Sequence, residues 1–153
     1  MKFSQDCLDL CKESEGCELN AYRDAVGVLT VGYGHTGPDV TPETKWTQAQ
    51  ADLQLGLDLE KASNYVESLV QVSLTQGQHD ALTDFVFNMG AGSLQKSTLL
   101  KLLNKGDYAA VPDQLYRVDE NGVQRGWIFG GGEVLPGLVV RRQKEIALWN
   151  KVA

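Results

Sequence analysis

The sequence holds no run of about 18 apolar residues, the length a bilayer demands, so a membrane-spanning helix is excluded. Its opening stretch, MKFSQDCLDLCKESEGC, is polar and acidic where an export signal would be continuously apolar. Retention in the cytoplasm, until another protein opens a way out, is the expectation. Cysteine is scarce, and Cys7, Cys11 and Cys17 form an odd, clustered set, which excludes a disulfide framework and predicts buried or half-buried reduced thiols. Only His35 and His79 could join them as metal ligands, so neither a metal centre nor any other cofactor is expected. Cations are also sparse in the first half, where 5 Lys and Arg up to Thr75 face 12 Asp and Glu; beyond it the count is 9 against 8. That imbalance argues against nucleic acid, whose phosphates call for clustered cations. It also confines attraction for any anionic polymer to the second half, with Arg117, Arg125, Arg141, Arg142 and Lys144.

What is present suits one compact domain: 153 residues, 42% of them hydrophobic and 22% charged. Phe3, Cys7, Leu8 and Cys11 recur at three- and four-residue steps, predicting a helix over about 4–14 that Gly16 ends. Glu15 falls at its C-terminal edge, where the helix dipole disfavours a negative charge and so suits a proton donor. From Leu19 to Thr36, short β-branched and aromatic runs broken by Gly27, Gly32 and Gly34 predict a small antiparallel sheet, with Asp24 ending one strand and Thr30 on the next.

Thr47 with Gln50, and Thr75 with Gln78, are capping-box signatures. The first opens a helix to about Val70 carrying Leu53, Leu57, Leu59, Ala62, Tyr65, Val66 and Leu69. The second opens one with Leu82, Phe85, Val86 and Met89 on one face. A further helix is expected over about 97–104, then a short or kinked one containing Pro112 and capped by Asp107. Residues 118–134, rich in glycine, read as a long irregular loop with one helical turn, and Pro136 starts a final helix. The whole reads as α+β, mostly α.

Glu15, eight residues, Asp24, five residues and Thr30 give two carboxyls on different elements, the equipment for breaking a glycosidic bond. One must hold a proton for the leaving oxygen while the other stays ionised. Together with the runs AYRD and TVGYGHT, with Phe85, Phe87, Asn88, Met89 and Gly90, with Ser97–Leu100, and with Gly137, Leu138, Arg141, Arg142, Glu145 and Trp149, this pattern resembles the phage-type lysozymes of glycoside hydrolase family 24.

The resemblance implies a lysozyme-like two-lobe fold. An N-terminal helix and β lobe would run to about residue 46, a linking helix over about 47–71, and a helical lobe over about 72–153. It makes Glu15 the general acid, Asp24 the general base or electrostatic stabiliser, and Thr30 the water-positioning hydroxyl. It places Thr36, Phe87 and Asn88 along the sugar groove and gives His35 a structural role beside Asp39 or Asp84. Arg141 and Arg142 would brace the last helix. The implied partner is bacterial peptidoglycan, cut by a monomer without stable membrane association that relies on a holin to reach the wall. A lytic transglycosylase, or a wall-binding protein without turnover, is the alternative. Carboxyls about 6.5–9.5 Å apart would invert the anomeric centre, and a spacing near 5 Å would retain it.

Overall fold

A computed structural model describes residues 1–152. The elements run α1 (Gln5–Glu15), β1 (Glu18–Arg23), β2 (Leu29–Gly32), α2 (Gln48–Leu69), α3 (Gln76–Met89), α4 (Ala91–Lys96), α5 (Thr98–Asn104) and α6 (Ala110–Leu115). They continue as β3 (Tyr116–Val118), β4 (Gln124–Gly126), β5 (Phe129–Gly130), β6 (Glu133–Val134) and α7 (Pro136–Trp149). A small antiparallel β lobe and a larger helical lobe are joined by the long α2, as expected for the two-lobe lysozyme-like fold.

Local chemistry sets the helix starts. The Ser4 hydroxyl accepts from the Asp6 amide to cap α1, and both capping boxes form in full, at Thr47/Gln50 and Thr75/Gln78. Pro136 occupies the first turn of α7, where its missing N–H costs nothing. Pro112 is the third residue of α6 and is tolerated for the same reason. Asp107 does not cap α6, whose N-cap is Ala109; the Asp107 amide instead donates to Leu102 O at 3.0 Å, closing α5.

The β1–β2 hairpin pairs Tyr22 with Thr30 and Arg23 with Leu29, and a bridge from Asn20 to Lys45 extends it toward α2. Residues 118–134 depart from expectation: instead of one irregular loop they form two hairpins, β3–β4 and β5–β6. Asn121-Gly122 is a hairpin turn signal, but strands of two or three residues are too short to show an alternating pattern. The six-residue helix α4 was likewise absent from the sequence expectation.

The main core lies in the helical lobe, where Ala62, Val66, Leu82, Phe85, Leu94, Leu99, Leu103, Val111, Leu115 and Trp149 pack together. Cys7, Cys11, Leu55 and Leu59 form a second, smaller cluster between α1 and α2. The inward stripe of α2 is Ala51, Leu55, Leu59, Ala62 and Val66, while Leu53, Leu57 and Tyr65 face outward, so its period starts two residues earlier than the leucines suggest. Although first in sequence, α1 packs against α3 and α7. That contact brings the end of α1 beside charged residues of the last helix.

Candidate active site

Gly16, with φ of +67°, stops α1 and leaves Glu15 as its last residue. The chain then runs out through β1 and returns on β2, and Gly32 and Gly34 fold it into a tight turn in which Val31 and His35 exchange both backbone hydrogen bonds at 2.9 Å. That turn lays Gly34 against the acid. A Cβ on Gly34 would stand 2.8 Å from Glu15 Oε1.

Glu15 sits where two hollows meet. One, of about 490 Å³, is walled by His35 and Thr36 from the β lobe, Asp58, Lys61 and Tyr65 from α2, and Phe87 and Asn88 from the end of α3. The other, of about 480 Å³, lies toward α7 and is lined by Leu135, Leu138, Arg141 and Lys144. Glu15 and Asn88 line both. The expected groove residues Thr36, Phe87 and Asn88 therefore gather around Glu15, with α2 as the back wall. Asp24 and Thr30 line neither hollow.

Asp24 is exposed just beyond β1, where its Oδ1 accepts from the amides of Val26 and Val28, both at 2.9 Å. Oδ2 makes no hydrogen bond among the described residues. Thr30 is buried on β2, and its hydroxyl donates to Val28 O at 3.0 Å, which leaves its lone pairs as acceptors. The register sets Asp24 diagonal to Thr30 across the hairpin.

His35 holds two carboxylates: Nδ1 is 2.7 Å from Asp58 Oδ2, and Nε2 is 3.1 Å from Asp39 Oδ2. Asp39 was one expected partner. Asp84, the other, lies elsewhere, buried on α3, and Asp58 takes the place instead from 23 residues downstream. With both ring nitrogens engaged, His35 ties the β lobe to α2.

The feature sequence reasoning missed is a buried ionic cluster behind Glu15. Arg141, Arg142, Asp84 and Glu145 are each at most 4% exposed. Arg141 is forked, with Nε donating to Asp84 Oδ2 at 3.0 Å, one terminal nitrogen to Asp84 Oδ1 at 2.8 Å, and the other to Glu15 Oε2. The Cys11 thiol also donates to Asp84 Oδ1, at 2.9 Å. Burial works against the Asp84 charge, but hydrogen bonds from Glu145 and Arg141 outweigh it and hold that carboxyl below its usual range. Burial and neighbouring Asp84 push Glu145 well above its own.

Arg142 donates to Asn88 Oδ1 and stacks over Phe85, so the Asn88 amide keeps its N–H groups for the groove. A terminal nitrogen of Arg142 also donates to Glu145 Oε2 at 3.2 Å, while its Nε lies 2.8 Å from Glu145 Oε1 without the alignment of a hydrogen bond. Arg141 and Arg142 thus brace α7, as expected, but through site residues. The sequence signal was two adjacent arginines on a helix whose apolar period they interrupt. Among the described residues no cluster of His, Cys, Asp and Glu could hold a metal ion.

A long inter-lobe helix, a small β lobe and an acid set between two hollows define a lysozyme-type glycoside hydrolase. Comparison with known proteins makes the assignment specific: residues 12–145 match the Phage lysozyme family, and the chain belongs to it. It is 43% identical over 129 residues to the SAR-endolysin of Escherichia phage Mu, covering 84% of this chain and 70% of that one. It is 38% identical over 150 residues to the endolysin of Acyrthosiphon pisum secondary endosymbiont phage 1, covering 98% and 99% of the two chains. Among solved structures, the muramidase domain of SpmX from Asticaccaulis excentricus superposes with a TM-score of 0.80 at 30% identity and covers 99% of both chains.

Proposed function

We propose that the groove hydrolyses the β-1,4 bond between N-acetylmuramic acid and N-acetylglucosamine in bacterial peptidoglycan, causing host lysis. Glu15 protonates the leaving oxygen, Asp24 assists attack of water or steadies charge at the sugar, and Thr30 places that water. The observation that carries this reading is the position of Glu15 between two hollows of comparable size, so that a polymer is gripped on both sides of the bond being cut. The unengaged Oδ2 of Asp24 and the acceptor lone pairs of Thr30 support the other two roles.

The whole chain works as one lysozyme-like domain and as a monomer. No helix among the described residues is long and apolar enough to cross a membrane. The enzyme is made in the host cytoplasm and reaches the wall through a lesion opened by a holin.

The test is release of fragments from purified sacculi. Glu15→Gln is expected to fold and to lose about 10²–10⁴ in rate, the scale of general acid catalysis. Mass spectrometry should find hydrated reducing ends on the wild-type products. Anhydro ends would mark a transglycosylase instead, and near-full activity of Glu15→Gln would remove Glu15 from its role.

A further inference from the structure

A general acid in contact with an arginine poses a problem, because a nearby cation favours the ionised carboxylate and an ionised Glu15 has no proton to give. We propose that Asp84 is a positioning residue that solves it: by gripping the Arg141 guanidinium with both carboxylate oxygens, Asp84 takes up charge that would otherwise fall on Glu15. The inference rests on Glu15 being the general acid.

The geometry divides Arg141 unequally. Two of its nitrogens go to Asp84, at 3.0 and 2.8 Å, and one goes to Glu15. The paired two-bond arrangement is the stronger and more directional form of the contact. Asp84 has no exposed side-chain surface, whereas 22% of the Glu15 side chain meets solvent, so the first pair is screened far less than the second. In keeping with this, burial alone would lower the affinity of Arg141 for its proton, yet contact with Asp84, and then with Glu15, raises it above the ordinary value. The Cys11 thiol fixes the Asp84 oxygen that faces α1, so the carboxylate is held from two helices.

The other charged groups around Glu15 are already engaged or stand across a hollow. On α1, Glu13 pairs with Lys144 of α7 at 3.0 Å, and Lys12 lies 3.6 Å from Asp52 of α2. His35, beyond Gly34, is held by Asp39 and Asp58. From α2, Asp58 and Lys61 face Glu15 across the first hollow. Behind Arg141, Glu145 of α7 contacts Arg142 and hydrogen-bonds to Asp84, with its own carboxyl pushed well above the ordinary range. Asp84 is therefore the group that meets Arg141 from the side opposite Glu15.

The rate of such an enzyme falls at alkaline pH as its acid loses the proton, and that limb reports the charge felt by Glu15. Asp84→Asn, made beside Glu145→Gln so that the neighbouring buried carboxyl cannot take over the charge, leaves Arg141 uncompensated, and the alkaline limb of kcat is expected to move toward lower pH by about 1, the low end of the effect of one close opposite charge. KM should change little, since Asp84 lines neither hollow. The double variant Asp84→Asn with Arg141→Gln removes both charges and buries two neutral amides, and its alkaline limb should return to the wild-type position.

An unmoved limb in Asp84→Asn with Glu145→Gln would overturn the inference, whatever its effect on melting. Should that variant not fold, Asp84→Asn with Arg141→Gln decides alone: a limb well above that of wild type would mean that Arg141 acts on Glu15 as a bare cation. Glu15→Gln is measured alongside. If it retains the activity and the limb, the role of Glu15 fails; if it is inactive while the Asp84 variants behave like wild type, only the role of Asp84 fails.

Discussion

Asp24 and Asp119 close the same turn in two different hairpins. Each amide donates to the carbonyl four residues on, Val28 or Val123, at 2.9 Å, and each Oδ1 accepts from the amides two and four residues on, all at 2.9 Å. In both, a glycine with positive φ, Gly27 or Gly122, donates back to the aspartate carbonyl at 3.0 Å. The two part company at the second oxygen: Asp119 Oδ2 accepts from Arg125 at 3.2 Å, while Asp24 Oδ2 has no partner among the described residues. Those backbone and arginine bonds hold the Asp119 carboxyl below its ordinary range, with the Val123 amide the largest influence.

One aspartate is thus wholly spent on its turn, and the other has an oxygen in reserve. Asp24→Asn keeps the Oδ1 acceptor and should melt close to wild type, yet lose about 10²-fold or more in wall cleavage if the free oxygen serves the reaction. Asp24→Ala should lose the activity and also melt lower, since both amides lose their acceptor. Asp119→Asn should leave cleavage unaffected. Measuring melting and fragment release on all three separates the turn from the chemistry, and a fully active Asp24→Asn would assign Asp24 to the turn alone.

Gly34 is the place where backbone meets the acid. At φ of +73°, with Glu15 Oε1 2.8 Å from any added Cβ, Gly34→Ala must both strain the turn and push the carboxylate aside. A displacement on the order of 1 Å costs about 10²-fold in a positioned acid. The loss should fall on kcat, with KM close to wild type. An equal rise in KM would mean that the turn shapes the groove more than it places Glu15.

His79 couples stability to pH. It is fully buried on α3, with Nε2 3.2 Å from both Ser63 Oγ and Glu67 Oε1. Burial lowers its proton affinity below the ordinary value of 6.5, and the pull of Glu67 and Asp80 only partly offsets that. The unfolded chain then binds a proton that the folded one refuses, so this contribution is intact above pH 6.5 and is lost as pH falls toward the folded value. Urea unfolding between about pH 7 and pH 5 should show a decline bounded by about 1.4 kcal/mol per pH unit from this group. His79→Gln should flatten that segment of the curve, and an unchanged slope would exclude His79 as its source.

Legibility followed the range of the interactions. The capping boxes at Thr47 and Thr75 span three residues, and the structure forms both. Glu15 at the end of α1 and Thr30 after the Gly27 turn were equally local. Of the two partners of His35, Asp39 lies four residues on and was among those expected, but Asp58 sits on another element, and only the fold singles it out from other aspartates. The buried ionic cluster was hidden for a further reason. Arg141, Arg142 and Glu145 interrupt the apolar period of α7, but charged side chains are seldom buried, and nothing local says that α1 and α3 close over them. The short hairpins after Leu115 escaped because two or three residues cannot display a period.

The bond from Arg141 to Glu15 joins residues 126 positions apart. The carboxyl is made early, as the first helix leaves the ribosome, but the guanidinium that holds it arrives only when α7 has emerged and docked. Translation that stops before Pro136, or a protease that removes α7, therefore yields a chain with its acid untethered and its second hollow missing a wall.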